Sequence, residues 1–230
     1  MVAIRFCGND TAHPVEGAAV VVDVLRAFTT AAYAFAAGAG KILLAANDEA
    51  ALTTKAAVRD SLAVKDGPPA AGFDFVNSPA LISEADLRGR TLVQRTTNGT
   101  VGATAARGAD LIVCTGFVCA SATSRALLDR GVEQATFVIT GHQGSAEEDL
   151  ACAELIAAQL TGETPDPAPF LRRAARSSAA AELRDGVAKG HRGVHQRDIE
   201  MALEIDRFFF AMIAAEGPYG LALTTTTDDH

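Results

Sequence analysis

The sequence predicts an α/β protein built on a layered sheet. Short β-branched runs alternate along the chain with alanine-rich helical stretches, the pattern of strands covered by helices. The run Ala18–Val24 (AAVVVDV) is apolar up to its penultimate position, as a buried strand must be. Polar clusters rich in Gly, Thr, Asn and Asp fall where strands give way to helices, the usual position of a ligand site in such sheets. At 230 residues the chain fits one large α/β domain or two small ones, with a substantial core.

The elements follow in order. After Ala18–Val24 a helix runs to about Gly38. Lys41–Ala46 is the next strand and Asp48–Asp60 the next helix, capped by Asn47 or Asp48. Residues 67–85, with three prolines and two glycines, form a long irregular segment, a length usually reserved for function. Thr91–Arg95 is a strand, and a helix starts near Asn98–Gly99. Leu111–Cys114 and Ala135–Thr140 are strands, followed by helices over Ala120–Asp129 and Ala146–Leu160. Thr161–Pro169 is a turn, beyond which two helices are expected over Phe170–Lys189 and Asp198–Glu216, separated by Gly190–Gln196. The expected division is a core over 1–160 carrying the site, a C-terminal helical portion over 161–223 packed on it, and a disordered tail over 224–230.

Composition excludes several classes. A net charge of −8 disfavours a general polyanion binder while leaving room for a local basic site. With no Trp, two Tyr and eleven Phe there is little to build a stacking platform for single-stranded nucleic acid. Cys7, Cys114, Cys119 and Cys152 form no C-x-x-C pair and read as reduced thiols. The N-terminus lacks a basic segment followed by a long apolar one, and no apolar run approaches the ~20 residues of a membrane helix. A cytoplasmic protein is expected, with no nucleic-acid or membrane partner. A homodimer is left open by Phe208, Phe209 and Phe210, which on one helix would point in three directions.

Three clusters carry chemistry. In Asp23-Val-Leu-Arg26-Ala-Phe-Thr29, a carboxylate closes an apolar strand and can hold a metal, and an arginine three residues on can fork onto phosphate or sulfonate oxygens. An Asp–Arg pair capping the helix explains the same residues equally well. Gln94-Arg95-Thr96-Thr97-Asn98-Gly99-Thr100 packs hydroxyls, an amide and a glycine into one turn, suited to cradle phosphate, although Thr or Asn as a simple helix cap is common. In Gly141-His142-Gln143-Gly144-Ser145-Ala146-Glu147-Glu148-Asp149, carboxylates follow a glycine turn directly after a strand. One or two carboxylates with water and substrate phosphate are what a hard cation such as Mg2+ takes, so these are the best metal-ligand candidates. Complementing the helix dipole is the plainer role. Phe73-Asp74-Phe75-Val76-Asn77-Ser78-Pro79 is either a loop anchor, which the residues alone favour, or a wall over the site.

Two patterns are decoys. Cys119 and Arg125 have the Cys-x5-Arg spacing of cysteine-dependent phosphatases, but Val118 stands where a His is usual and Ala122 where a Gly is. His191 and His195 are four apart between Gly190 and Gln196, with no obvious third ligand, and read as loop surface rather than a zinc site.

Taken in order, VVVDVLRAFTTAAYAFAAGA (20–39), GFDFVNSP (72–79), QRTTNGT (94–100) and EEDLACAELI (147–156) resemble the recurrent blocks of the 2-phosphosulfolactate phosphatase family of coenzyme M biosynthesis. DIEMALEID (198–206) resembles that family's C-terminal Asp-containing helix. The resemblance implies a three-layer sandwich with a mixed, mostly parallel central sheet. It also implies Mg2+-dependent hydrolysis of a phosphate ester of a small sulfonated acid. It nominates Asp23, Arg26, Thr29, Asp74, Asn77, Thr96, Thr97, Asn98, Gly99, Thr100, Glu148 and Asp149. By the chemistry of each, we read Asp23, Arg26 and Asp149 as catalytic and Asp23, Glu148 and Asp149 as Mg2+ ligands. Arg26, Thr29, Asp74, Asn77 and Thr96 to Thr100 are read as substrate contacts. Three positions depart from the family pattern: Gly116 for a serine, Cys119 for an asparagine and Glu154 for a glycine. The first two motivate a rival reading, a small-anion binder without turnover, and a cysteine phosphatase using Cys119 is a third.

Overall fold

The computed structural model describes residues 2–9, 15–141 and 144–226. Ten strands form one sheet: β1 (Ala3–Gly8), β2 (Ala18–Val22), β3 (Lys41–Leu44), β4 (Ser61–Lys65), β5 (Phe75–Val76), β6 (Thr91–Arg95), β7 (Leu111–Thr115), β8 (Gln134–Ile139), β9 (Met212–Gly217) and β10 (Gly220–Thr225). Their order is β1-β8-β2-β7-β9-β10-β3-β6-β4-β5. The four strands β1, β8, β2 and β7 are mutually parallel, as are β3, β6, β4 and β5. The hairpin β9–β10 joins the two groups and runs antiparallel to both of its neighbours. The sheet is therefore mixed and mostly parallel.

Helices cover both faces: α1 (Ala27–Ala36), α2 (Asp48–Ala57), α3 (Pro79–Ile82), α4 (Gly99–Ala105), α5 (Ala120–Asp129), α6 (Glu147–Leu160), α7 (Ala168–Ala175), α8 (Ser178–Ala188) and α9 (Asp198–Ala202). Strand β2 is buried along its whole length because its side chains alternate between two cores. Ala19 and Val21 join α1 in one core, which also takes Ile42, Leu92, Cys114 and Leu223 from both strand groups. Ala18, Val20 and Val22 face Leu127 of α5 and Leu155 and Ile156 of α6 in the other. Each fully buried valine contributes about 1.5–3 kcal/mol. α1 is buried from Ala27 through Ala34, so its small side chains let the sheet close around it. A smaller core beneath α2 gathers Leu43, Ala51, Ala63 and Val93.

The local rules are visible at helix starts. Asn47 accepts the Ala50 amide at 2.8 Å to cap α2, and Ser78 with Pro79 at the first helical position starts α3. Ser177 accepts the Ala180 amide and separates α7 from α8, so the single helix expected over 170–189 is two.

The C-terminal expectation needs a larger correction. The helix expected over 198–216 ends at Ala202, and residues 212–225 are a β-hairpin in the middle of the sheet. The portion 161–223 is thus helical only in its first two thirds. Thr224 and Thr225, assigned to a disordered tail, belong to β10, while 227–230 lie outside the described residues. The hairpin forms because Met212, Ala214, Leu221 and Leu223 alternate inward and complete the core around α1. Phe208 and Phe210 are not on a helix: they stack at 5.4 Å and meet Tyr33 and Phe35 of α1 edge-on, leaving Phe209 exposed. β1, β4 and β5 were not anticipated at all.

The segment between α9 and β9 also caps α5. Cys119, at the N-cap, makes no side-chain bond. The Asp206 carboxylate reaches it instead, accepting from the Ser121 amide at 2.7 Å and hydroxyl at 2.6 Å. Asp206→Ala should therefore lower unfolding stability by about 1–2 kcal/mol in a urea titration; an unchanged midpoint would show that this long-range cap contributes nothing.

Candidate active site

The end of β2 is where the predicted clusters meet. Asp23 follows the strand, and its Oδ1 accepts the Ala27 amide at 2.9 Å, holding the first turn of α1. The capping role is real, but only for one oxygen and without Arg26. Oδ2 faces Gly99: a Cβ at that position would stand 2.7 Å from Oδ2 and 2.6 Å from the Ala27 Cβ, so only glycine lets α4 approach the carboxylate.

Asp149, in the first turn of α6, reaches back to the same strand end. Its Oδ1 accepts the Val24 amide at 2.8 Å; its Oδ2 accepts the Gly141 amide at 3.2 Å and the Thr140 hydroxyl at 3.3 Å. Glu148 beside it is buried, and its Oε2 has no hydrogen-bond partner among the described residues. Of this third cluster, His142 and Gln143 lie outside the described residues.

Burial, together with the charges of Asp66 and Glu148, pushes Asp23 up from the ordinary carboxylate value to about 7, against the opposing amide bond from Ala27. Asp149 is raised for the same reason, with Asp23 and Glu148 adding to desolvation. No group of three His, Cys, Asp or Glu among the described residues is arranged to hold a metal ion. The donor set nevertheless suits a hard cation bound with one or two carboxylates. Glu148 Oε2 is orphaned among the described residues, Asp23 Oδ2 lies against the Gly99 turn, and both are oxygens in a buried site with no lysine or arginine partner. Asp149 differs, since both of its oxygens already accept backbone amides.

Arg26 turns away from Asp23. Its Nη1 donates to Asp198 Oδ2 at 2.6 Å and to the Gly193 carbonyl at 3.0 Å, with Asp198 wholly buried. Asp198 also accepts from the Ser78 hydroxyl at 2.5 Å and the His195 amide at 2.9 Å. It thereby ties α9 and the 190s loop to α3 and α1. A second missed carboxylate, Asp66, follows β4. It accepts the Asn77 side-chain amide at 2.7 Å and the Thr97 backbone amide at 2.6 Å, joining the long loop to the threonine turn. Its signal in the sequence was the short run SLAVK ending in a carboxylate, the same signature as Asp23.

Other nominated residues serve the fold. Thr96 and Thr100 form a reciprocal cap: each hydroxyl accepts the other's backbone amide, at 3.1 and 3.0 Å. Thr97 and Asn98 are the exposed members of that turn. The Thr29 hydroxyl donates to the Val24 carbonyl at 2.7 Å. Asp74 accepts the Ala63 amide at 2.7 Å and pairs with Lys55 at 2.6 Å, the anchor reading of the loop. Asn77 is buried and reaches the site only through Asp66.

The departures from the family pattern fall behind the site. Cys119 is fully buried at the α5 N-cap, where Asp206 supplies the missing cap, and Gly116 is buried against Thr29. Glu154 pairs with Arg173 at 2.6 Å, and Arg173 also reaches Glu147 at 2.9 Å, fastening α7 to the turn that carries Glu148. Neither Gly116 nor Cys119 forms a substrate wall, which removes the motive for a binder without turnover. Burial raises the Cys119 thiol far above its ordinary range, and Arg125 is exposed, so no cysteine-phosphatase site is assembled.

Buried carboxylates meeting a hydroxyl-rich turn at strand ends, on a sheet covered on both faces, define an α/β protein with an enzyme-like polar site. A family model described as 2-phosphosulpholactate phosphatase matches residues 8–216. The chain is 32% identical over 165 residues to a protein of Bacillus subtilis (strain 168), covering 71% of this chain and 72% of that one. It is 38% identical over 146 residues to a Deinococcus radiodurans protein (62% and 61%), and 31% identical over 200 residues to one from Carboxydothermus hydrogenoformans (83% of each). All three relatives bear the name "Probable 2-phosphosulfolactate phosphatase". The chain belongs to the 2-phosphosulfolactate phosphatase family.

The raised Asp23 carboxyl fixes a pH dependence. In metal-free protein the unfolded chain gives up this proton near 3.8 and the folded chain near 7, so stability falls as pH rises through that window. Asp23→Asn should therefore lose less of its thermal midpoint between about pH 5 and pH 8 than the wild type does in EDTA. Equal losses would mean that the carboxyl is ionised throughout.

Proposed function

We propose that this protein is a phosphoric monoester hydrolase that releases phosphate from 2-phosphosulfolactate, with Mg2+ as cofactor. The observation that carries the reading is the meeting, at the end of β2, of buried Asp23, Glu148 and Asp149 with the threonine turn at Gly99. Family membership supplies the reaction class.

Asp23 and Glu148 are the residues that would hold Mg2+, through Oδ2 and the orphaned Oε2. When bound, the ion supplies positive charge against the phosphate oxygens and against the carboxylates themselves. Asp149 is the positioning member: by accepting amides from Val24 and Gly141 it joins the ends of β2 and β8 and fixes the α6 turn that carries Glu148. Asp66 sets the turn at Thr97, leaving the Thr97 and Asn98 side chains outermost to meet phosphate oxygens. Arg26, clamped by Asp198 through one nitrogen, presents the rest of its guanidinium as donors for a substrate anion. A water molecule is the attacking group in this reading. Thr96, Thr100 and Thr29 engage their hydroxyls in the fold, and Cys119 is sealed in the core.

No helix among the described residues is long and apolar enough to cross a membrane. Cys114, Cys119 and Cys152 are buried thiols outside any disulfide, which accords with a cytoplasmic location.

Phosphate release from 2-phosphosulfolactate should require Mg2+, stop in EDTA and return on adding Mg2+. Glu148→Gln should lower kcat about a hundredfold while the circular dichroism spectrum is retained. Full turnover in EDTA, or in the folded variant, would overturn the cation role assigned to Glu148.

A further inference from the structure

We infer that the cleft beside Arg26 is the pocket for the sulfonate end of the substrate, with Arg192 as its specificity-determining residue. This rests on the phosphatase reading above and adds the residues that recognise the non-reacting end.

The cleft measures about 390 Å3, the size of a small-molecule site, and Arg26, Gly67, Pro68, His191, Arg192 and Val194 line it. Its charge is one-sided. Two arginines face it and no Asp or Glu lines it, although the whole chain carries a net charge of −8. Arg26 contributes more than a wall. Its Nη1 is committed to Asp198 and the Gly193 carbonyl, while Nε and Nη2 have no partner among the described residues. Arg192 is exposed and forms no ion pair there, whereas Arg88, Arg107 and Arg173 each hold a carboxylate. Arg26 with two unpaired guanidinium nitrogens and Arg192 with no ion pair, both among the residues lining the cleft, suit an oxyanion with three equivalent oxygens.

The walls of the cleft are fixed by the fold. The Gly67 carbonyl occupies the space that a side chain at Gly193 would need, so the loop after β4 and the loop before α9 lock together. Gly67 directly follows Asp66, whose charge acts on Asp23, and Arg26 is three residues beyond Asp23. Asp66 accepts the Thr97 amide and precedes Gly67 of the cleft, so the threonine turn and the cleft share one support. In the proposed reading the phosphate sits at Asp23, Glu148 and Thr97 and the sulfonate at Arg26 and Arg192. The substrate is a phosphorylated sulfonated acid in the name that the family model carries, and besides its phosphate such a molecule carries a sulfonate and a carboxylate that need cationic partners.

The test uses 3-sulfopropanoate, which carries the sulfonate and a carboxylate but no phosphate, beside butanedioate, in which a second carboxylate replaces the sulfonate. Both are titrated by calorimetry, with 2-phosphosulfolactate turnover measured alongside. An Arg192→Gln loss equal for both ligands overturns the sulfonate assignment. Arg192→Gln should weaken 3-sulfopropanoate binding roughly tenfold and raise KM for the ester by a similar factor, with a much smaller change in kcat. Arg192→Lys should recover part of the loss. An unchanged affinity in Arg192→Gln, or no binding by the wild type, overturns the pocket assignment. The two readings fail separately. If the wild type binds 3-sulfopropanoate, Arg192→Gln loses that binding, and neither protein releases phosphate, the pocket stands and the catalysis falls. Normal phosphate release with KM indifferent to Arg192 does the reverse.

Discussion

Three carboxylates, Asp23, Glu148 and Asp149, lie buried together where β2 ends, and no lysine or arginine among the described residues pairs with them. Taking such groups out of water is expensive, and proteins tolerate it where a partner or ligand compensates. Asp198, equally buried, shows the ordinary solution: Arg26 at 2.6 Å with amides and a hydroxyl around it. The β2 cluster instead has backbone amides for some of its oxygens and nothing for Glu148 Oε2. Burial raises both Asp23 and Asp149 above the ordinary carboxylate range, as expected where negative charge gathers without a basic side chain. A cation is the proposed counter-charge, and the phosphate of the substrate follows it.

The fold exists to bring these groups together from distant parts of the chain. Asp23 and Asp149 are 126 positions apart and meet because β2 and β8 are parallel neighbours whose ends coincide. The threonine turn follows β6, five places from β2 in the sheet, and reaches Asp23 because both strand groups share one core around α1. The central hairpin β9–β10 closes the gap between those groups. Asp66 and Asp198 then act as rivets, one joining the long loop to the threonine turn, the other joining the C-terminal helices to Arg26.

Much of this was legible in the sequence, and the reasons for the misses are physical. β2, β3, β6, β7 and β8 stood out as compact apolar runs, and Asn47 marked its helix correctly. The hairpin was read as helix because Met, Ile, Ala and Glu serve either element, and only its neighbours in the sheet decide. The clusters at Asp23, Thr97 and Glu148 were found because chemistry and position coincided. What sequence could not separate is a hydroxyl facing a ligand from one turned onto its own turn: Thr96 and Thr100 look identical to Thr97 on paper. Asp66 was missed because β4 was not recognised, and the role of Asp198 depends on a contact 172 positions away.

In the proposed reading, Mg2+ entering this cluster would displace a proton from Asp23. Isothermal titration of Mg2+ into the protein at about pH 6.5, in two buffers of different ionisation enthalpy, counts the protons released on binding. The account predicts binding accompanied by release of roughly one proton per ion, given an Asp23 carboxyl poised near 7. Binding without proton release, or no binding, would contradict it.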